Sequence, residues 1–169
     1  MDTKTASEEF LSLILKNKGI IIKICNSYCP NKNDRQDLAQ EIAYQIWKSG
    51  NSFDPGQIFS TWMYRIALNV AISFYRKKSK LGPFVSLSEN VMGIEHIDDD
   101  SKALEDNMEL LQKFISELKE LDKALMILYL ESKSYAEIAE ILGITETNVA
   151  TRISRAKDTL KQRFVTVQK

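Results

Sequence analysis

The chain has 169 residues, with 23 Lys and Arg against 23 Asp and Glu and therefore no net charge; 44% is hydrophobic, and Pro (3) and Gly (6) are scarce. That length suits one ordinary domain or two small ones, and no apolar run reaches the about 18 residues needed to cross a membrane. Apolar positions recur at three and four without convincing alternation, so the predicted class is all-α. The opening MDTKTASEEF lacks a basic-then-apolar secretion signal, so a cytoplasmic protein is expected.

Residues 8–29, EEFLSLILKNKGIIIKICNSYC, carry Phe10, Leu13, Ile14, Ile21, Ile24 and Cys25 in a helical core pattern that Pro30 and the NKND run end. Asp34 or Asp37 opens the next helix, DRQDLAQEIAYQIWKS. Leu38, Ile42, Ala43, Ile46 and Trp47 are expected to face inward. Asp37, Gln40, Glu41, Tyr44 and Lys48 share the outward face, which spacing alone reads as an ordinary solvated surface. Ser49-Gly50 ends the helix, and NSFDPGQ is a loop.

FSTWMYRIALNVAISFYRKKSK is the next helix, capped by Ser60 or Thr61, with Met63, Ile66, Ala67, Val70 and Phe74 as the expected buried stripe. Trp62, Arg65, Asn69, Ser73 and Arg76 make a second line. An aromatic ring, an amide and cations along one exposed line suit unstacked bases and phosphates. The run Arg76, Lys77, Lys78, Lys80 equally complements the negative end of a helix dipole.

Residues 81–104 lose the helical period at Gly82-Pro83, Gly93 and an acidic run, and read as a linker between two small helical domains, 8–80 and 105–165. Helix resumes over 105–132, where Met108, Leu111, Phe114, Ile115, Leu118, Leu125, Leu128 and Tyr129 are expected to support the stretch 134–164. That stretch reads as a helix-turn-helix. Its first helix is Tyr135 to Leu142, buried through Ile138, Ala139 and Leu142. Gly143 is the left-handed stop, and Thr145 caps the second helix. Val149, Ile153, Ala156 and Leu160 form that helix's core stripe, and Phe164 and Val165 close the small core. The other sides offer Thr147, Asn148, Thr151 and Arg152 first, then Arg155, Lys157 and Lys161. Hydrogen-bonding groups lead and cations come after them, as a helix in the major groove requires. The competing reading is a basic, solvated hairpin.

Zero net charge hides a pattern. Residues 61–80 hold five cations and no anions, 81–112 one cation and eight anions, and 144–169 six cations and two anions. Local field governs phosphate binding, so two basic segments flank an acidic one. Cys25 and Cys29 read as buried reduced thiols, since the single histidine, His96, is remote and no second Cys pair exists to complete a metal site. No nucleophile–base pair or phosphate loop is present, so neither an enzyme nor a cofactor is expected.

In this order, DLAQE with IWKS, then FSTWMYRIALNVAISFYRKK, then SYAEIAEILGIT with NVATRISRAK, the chain resembles a bacterial sigma factor of the small extracytoplasmic-function (ECF) group over roughly residues 8 to 165. The resemblance implies a protein that binds core RNA polymerase, directs it to a promoter and helps open promoter DNA. Asp37, Gln40, Glu41 and Tyr44 would face polymerase, overturning the solvated-face reading. Trp62, Arg65, Asn69, Ser73, Arg76 and Lys77 would meet the −10 DNA, with the loop from Asn51 to Ser60 cradling a flipped base. Thr147, Asn148, Thr151, Arg152 and Arg155 would read the −35 element, and the acidic linker would thread into polymerase channels. An anti-sigma factor is a further partner the resemblance implies; membrane insertion is not. Where the family commonly carries Lys or Arg this chain has Ala150, so −35 readout would lean on Asn148, Thr151 and Arg155. The alternative is a stand-alone helix-turn-helix regulator, which needs neither the Asp37–Glu41 face nor the Trp62 segment.

Overall fold

The computed structural model describes residues 3–80 and 99–169, with side chains described from Ala6 and from Lys102 onward in those two stretches. Every regular element among them is helical: α1 Thr3–Lys16, α2 Lys18–Tyr28, α3 Lys32–Lys48, α4 Phe59–Lys80, α5 Asp99–Ser116, α6 Glu120–Leu130, α7 Tyr135–Leu142 and α8 Glu146–Val167, with one 3-10 turn at Gly50–Ser52. They fall into two compact units, whose bodies are α1–α4 and α5–α8. Most of the acidic segment, with His96, lies outside the described residues. Its last part, from Asp99, is already helix, so the stretch read as linker through 104 ends inside α5.

The N-terminal unit is built around α4, which packs against both α2 and α3. The stretch 8–29 is two helices rather than one pattern. At Asn17 both the side-chain amide and the backbone N–H donate to the Leu13 carbonyl, at 2.9 and 3.2 Å, so this residue closes the last turn of α1 on itself. Asn31, not Asp34 or Asp37, caps α3: its Oδ1 accepts from the Asp34 backbone N–H at 2.8 Å. Asp34, Leu38, Ile42 and Ile46 are buried on one i, i+4 line. Ala43 and Trp47, expected inside, are exposed because they flank that narrow ridge. α4 begins at Phe59, so neither Ser60 nor Thr61 caps it. With neighbours on two sides its buried arc is wide: Phe59, Trp62, Met63, Tyr64, Ala67, Leu68, Ala71 and Ile72. Ile66, Val70 and Phe74 are only half-buried.

In the C-terminal unit, the stretch 105–132 divides into α5 and α6. Phe114, Ile115 and Leu118, ending α5 and its turn, meet Met126 of α6 and Ala156 and Leu160 of α8, with Phe164 packed against them. The Phe114 and Phe164 rings sit edge to face at 5.0 Å, a geometry worth about 0.5–1.5 kcal/mol beyond area burial. Val165 and Met108 remain exposed and do not join this core. On α8, Val149, Ile153, Ala156 and Leu160 are all buried, as periodicity predicts. On α7, Ile138, Ala139 and Ile141 are buried while Leu142 is half-buried.

Candidate nucleic-acid and protein interfaces

The outward face of α3 carries Asp37, Gln40, Glu41 and Tyr44, all exposed. Tyr44 is 57% exposed and Trp47, one turn on, 51%, so an acidic patch runs into an aromatic one. The Lys48 ammonium lies 6.0 Å from the Tyr44 ring centre. The face is held in place from behind. Asp34 accepts from the Lys78 ammonium at 2.9 Å and from the Asn31 amide at 2.7 Å, which locks the start of α3 to the end of α4. That Lys78 bond is the main reason the Asp34 carboxyl titrates below its ordinary range, and the same contact raises Lys78. Lys78 is thereby committed to structure, whereas Lys77 and Lys80 are exposed.

Asn69, Ser73, Arg76 and Lys77 of α4 are exposed and Arg65 is half-exposed. Asn69, Ser73 and Lys77 line the far wall of an open groove of about 550 Å³ whose near wall is Asp37, Glu41 and Gln45 of α3. Residues that sequence spacing assigned to two separate surfaces thus face one another across a single cleft.

Trp62 does not belong to the exposed line. It is 6% exposed and sits in an aromatic cluster: Phe53 at 5.2 Å, Phe59 at 5.5 Å and Phe10 at 6.0 Å between ring centres. Burial of a large indole outweighs the polar neighbours that its helical line suggested. The cluster underlies the loop after Gly50. Phe53 is that loop's inward anchor, and the Phe10 ring approaches so closely that a Cβ at Gly50 would meet it at 2.8 Å. The exposed part turns through Asp54, whose carboxylate accepts from the Gly56 N–H at 2.9 Å. Thr61, at the base of the loop, has a buried hydroxyl oxygen with no hydrogen-bond partner.

The helix-turn-helix is assembled by local chemistry. Ser134 and Glu137 form a reciprocal capping box on α7: the Ser134 Oγ accepts from the Glu137 N–H at 3.1 Å, and the Glu137 carboxylate accepts from the Ser134 N–H at 2.7 Å. That backbone bond is the first cause of the lowered Glu137 pKa. Apolar periodicity does not reveal this box, but its S-x-x-E spacing is a signal present in the sequence. Gly143 adopts φ +67°, and the Ile144 N–H closes back on the Ala139 carbonyl at 3.1 Å. Thr145 then accepts from the Asn148 N–H at 3.1 Å to start α8.

Along α8, Thr147, Asn148, Thr151 and Arg155 are exposed. The Thr151 hydroxyl donates to the Thr147 carbonyl at 3.0 Å. Arg152 is not simply presented to solvent. Its Nη1 donates to Asp122 of α6 at 2.8 Å and its Nε to the Asn148 side chain at 3.2 Å. Lys157 lies 4.2 Å over the Tyr129 ring, an arrangement that fixes it to the unit's own surface.

Cys25 and Cys29 are buried and reduced, and burial pushes the Cys25 thiol up to about 11, far from the reactive thiolate. Among the described residues no three His, Cys, Asp or Glu gather as a metal site, and no helix is long and apolar enough to cross a membrane.

Residues 13–81 match the family model for sigma-70 region 2 and residues 108–160 that for sigma-70, region 4. The chain is 31% identical over 174 residues to the ECF RNA polymerase sigma factor SigW of Bacillus subtilis (strain 168), spanning 95% of this chain and 91% of that one. It is 30% identical over 156 residues to the RNA polymerase sigma factor SigV of the same organism, spanning 90% and 89%. Among solved structures, the sigma factor RpoE, crystallised with the anti-sigma factor NepR from Bartonella quintana, is similar with a TM-score of 0.63 at 24% identity, covering 99% of this chain and 100% of that one.

Proposed function

We propose, from the premise that this chain belongs to the extracytoplasmic-function family of RNA polymerase sigma factors, a division of its labour among three surfaces. As a sigma factor it binds core RNA polymerase and confers promoter specificity. Asp37, Gln40, Glu41 and Tyr44 on α3 meet polymerase, and Trp47 extends that face. Arg65, Asn69, Ser73, Arg76 and Lys77 meet the −10 DNA, beside the loop from Asn51 to Ser60, which takes an unstacked base. Trp62 serves from beneath as part of the loop's support. Thr147, Asn148, Thr151 and Arg155 face the −35 major groove, and Arg152 stands behind Asn148. The domains then run 8–80 and 105–165, with the acidic segment between them entering polymerase channels. The protein works in the cytoplasm, without a reaction of its own, and is held in check by an anti-sigma partner such as the one bound to the structural relative.

The observation that carries this reading is the pairing of a region 2 match and a region 4 match in order on one chain, the second holding a fully capped helix-turn-helix with its polar edge exposed. The physics favours tethering. A few phosphate contacts bind weakly and are lost with salt. Fixing two such contacts to polymerase makes the second intramolecular and multiplies the total affinity. Stacking on an unpaired base, about 1–3 kcal/mol, offsets part of the cost of opening the duplex.

Co-elution of purified protein with core polymerase, followed by run-off transcription from genomic fragments, tests the proposal. Binding to core together with promoter-dependent transcripts is the expected result. Failure to bind core, with a shift of a palindromic duplex by the protein alone, would establish a stand-alone regulator instead.

A further inference from the structure

The α8 edge contains a relay that spacing alone does not disclose. Asp122, in the first turn of α6, accepts from Arg152 Nη1 at 2.8 Å. One helical turn before Arg152 on α8, Asn148 Oδ1 accepts from Arg152 Nε at 3.2 Å. The carboxylate holds the guanidinium, and the guanidinium holds the amide. The pair is sheltered rather than fully solvated: the Arg152 and Asp122 side chains are 36% and 25% exposed. A fork gripping two partners at once is a property of arginine, whose planar group presents fixed donors in two directions.

The chemistry dictates which way the amide points. Arginine has donors and no acceptor, so the atom of Asn148 turned toward it must be the carbonyl oxygen. The NH2 group is left facing outward from the exposed start of the helix. A free asparagine in the major groove pairs with adenine, using its oxygen for the N6 amino group and its nitrogen for N7. An asparagine whose oxygen is turned back toward Arg152 presents its NH2 edge to the groove, and the base edge that fits it is one rich in acceptors. Guanine sets two acceptors, N7 and O6, side by side.

We propose that Asp122 and Arg152 are positioning residues that fix Asn148 as a donor, so that this helix selects guanine rather than adenine at the base Asn148 meets. The inference rests on α8 entering the −35 groove. Ala150, two residues on from Asn148, is half-buried and supplies no competing donor at this edge.

The test uses reconstituted holoenzyme transcribing a promoter library randomised across the −35 element. Asn148→Ala first identifies the position Asn148 reads, as the one whose preference relaxes. At that position wild type is expected to favour guanine. Asp122→Asn, which leaves the Arg152 charge untouched, and Arg152→Lys, which keeps a charge but loses the fork, are both expected to lower the guanine-to-adenine ratio there by about fivefold, the worth of one hydrogen bond. Other positions stay as in wild type. Adenine preferred by wild type at that position would overturn the proposal, as would no position responding to Asn148→Ala. So would an unchanged ratio in both positioning variants, or a uniform loss across sequences with a shallower salt dependence, the mark of a plain phosphate contact. If instead wild type ignores the −35 sequence and Arg155→Ala has no effect, it is the docking of α8 itself that fails.

Discussion

Gly143 offers the cleanest test of the turn on which the recognition helix depends. Its φ is +67°, and an ideal Cβ built there meets nothing within 4 Å. Substitution by alanine therefore introduces no clash; the folded state bears only the left-handed backbone strain of an L-residue, about 1–2 kcal/mol, against which the lower unfolded-chain entropy of alanine returns about 0.4–1 kcal/mol. The net, up to about 1.5 kcal/mol, is a factor of up to roughly 12 in the folded-to-unfolded ratio. Gly143→Asn should cost less than Gly143→Ala, because asparagine tolerates this region despite its larger side chain. Urea unfolding monitored by far-UV circular dichroism gives the difference. Amide exchange at Ile138 and Ile144 locates it, the latter through its bond to Ala139. The ordering is the decisive feature. An alanine variant as stable as wild type, or an asparagine variant worse than alanine, would mean that space and not backbone angle governs this turn. Gly50 is the contrasting case: its cost on substitution is steric, through the Phe10 ring 2.8 Å from the new Cβ.

Ser132 holds φ 59° at the end of α6, so Ser132→Gly should stabilise the C-terminal unit, by up to about 1 kcal/mol after the entropy cost of glycine, in the same unfolding experiment. Arg155→Ala should weaken promoter binding by about 1–3 kcal/mol and reduce the salt slope by about one, measured by titration of holoenzyme at several salt concentrations. Asp37→Arg with Glu41→Arg should abolish co-elution with core polymerase while leaving helicity unchanged; normal co-elution would remove that face from the interface. Because the folded-state pKa of Asp34 is depressed, chiefly by Lys78, its contribution to stability is fully present above the unfolded value of about 3.9. It is lost as pH falls through the lower folded value. Asp34→Asn should therefore show a flatter decline in the stability of the N-terminal unit below about pH 4, monitored by acid titration under circular dichroism.

What the amino-acid order determined by itself is everything that depends on a few neighbours along the chain. The bounds of α7, the left-handed Gly143, the Thr145 cap and the stripe from Val149 to Leu160 are governed by helical period and by groups three or four residues apart. The Ser134–Glu137 box, invisible to apolar periodicity, is equally local. The order of three motifs was just as plain, which is why the family resemblance and the two matched regions agree. Only the tertiary structure decided matters that turn on how many neighbours a helix has and what crosses from another helix. Periodicity assigns residues to sides but does not say how wide the buried arc is. α4 packs against both α2 and α3, and Phe10 of α1 and Phe53 of the loop close over its first turn, so Trp62 went inside with them and Phe59. α3 buries one ridge only, so Ala43 and Trp47 stayed out. Partners 44 and 30 residues away in the chain likewise withdrew Lys78 and Arg152 from the simple cationic surface that their local runs suggested. Charge and period are properties of a segment, whereas burial and pairing are properties of the space that other segments fill.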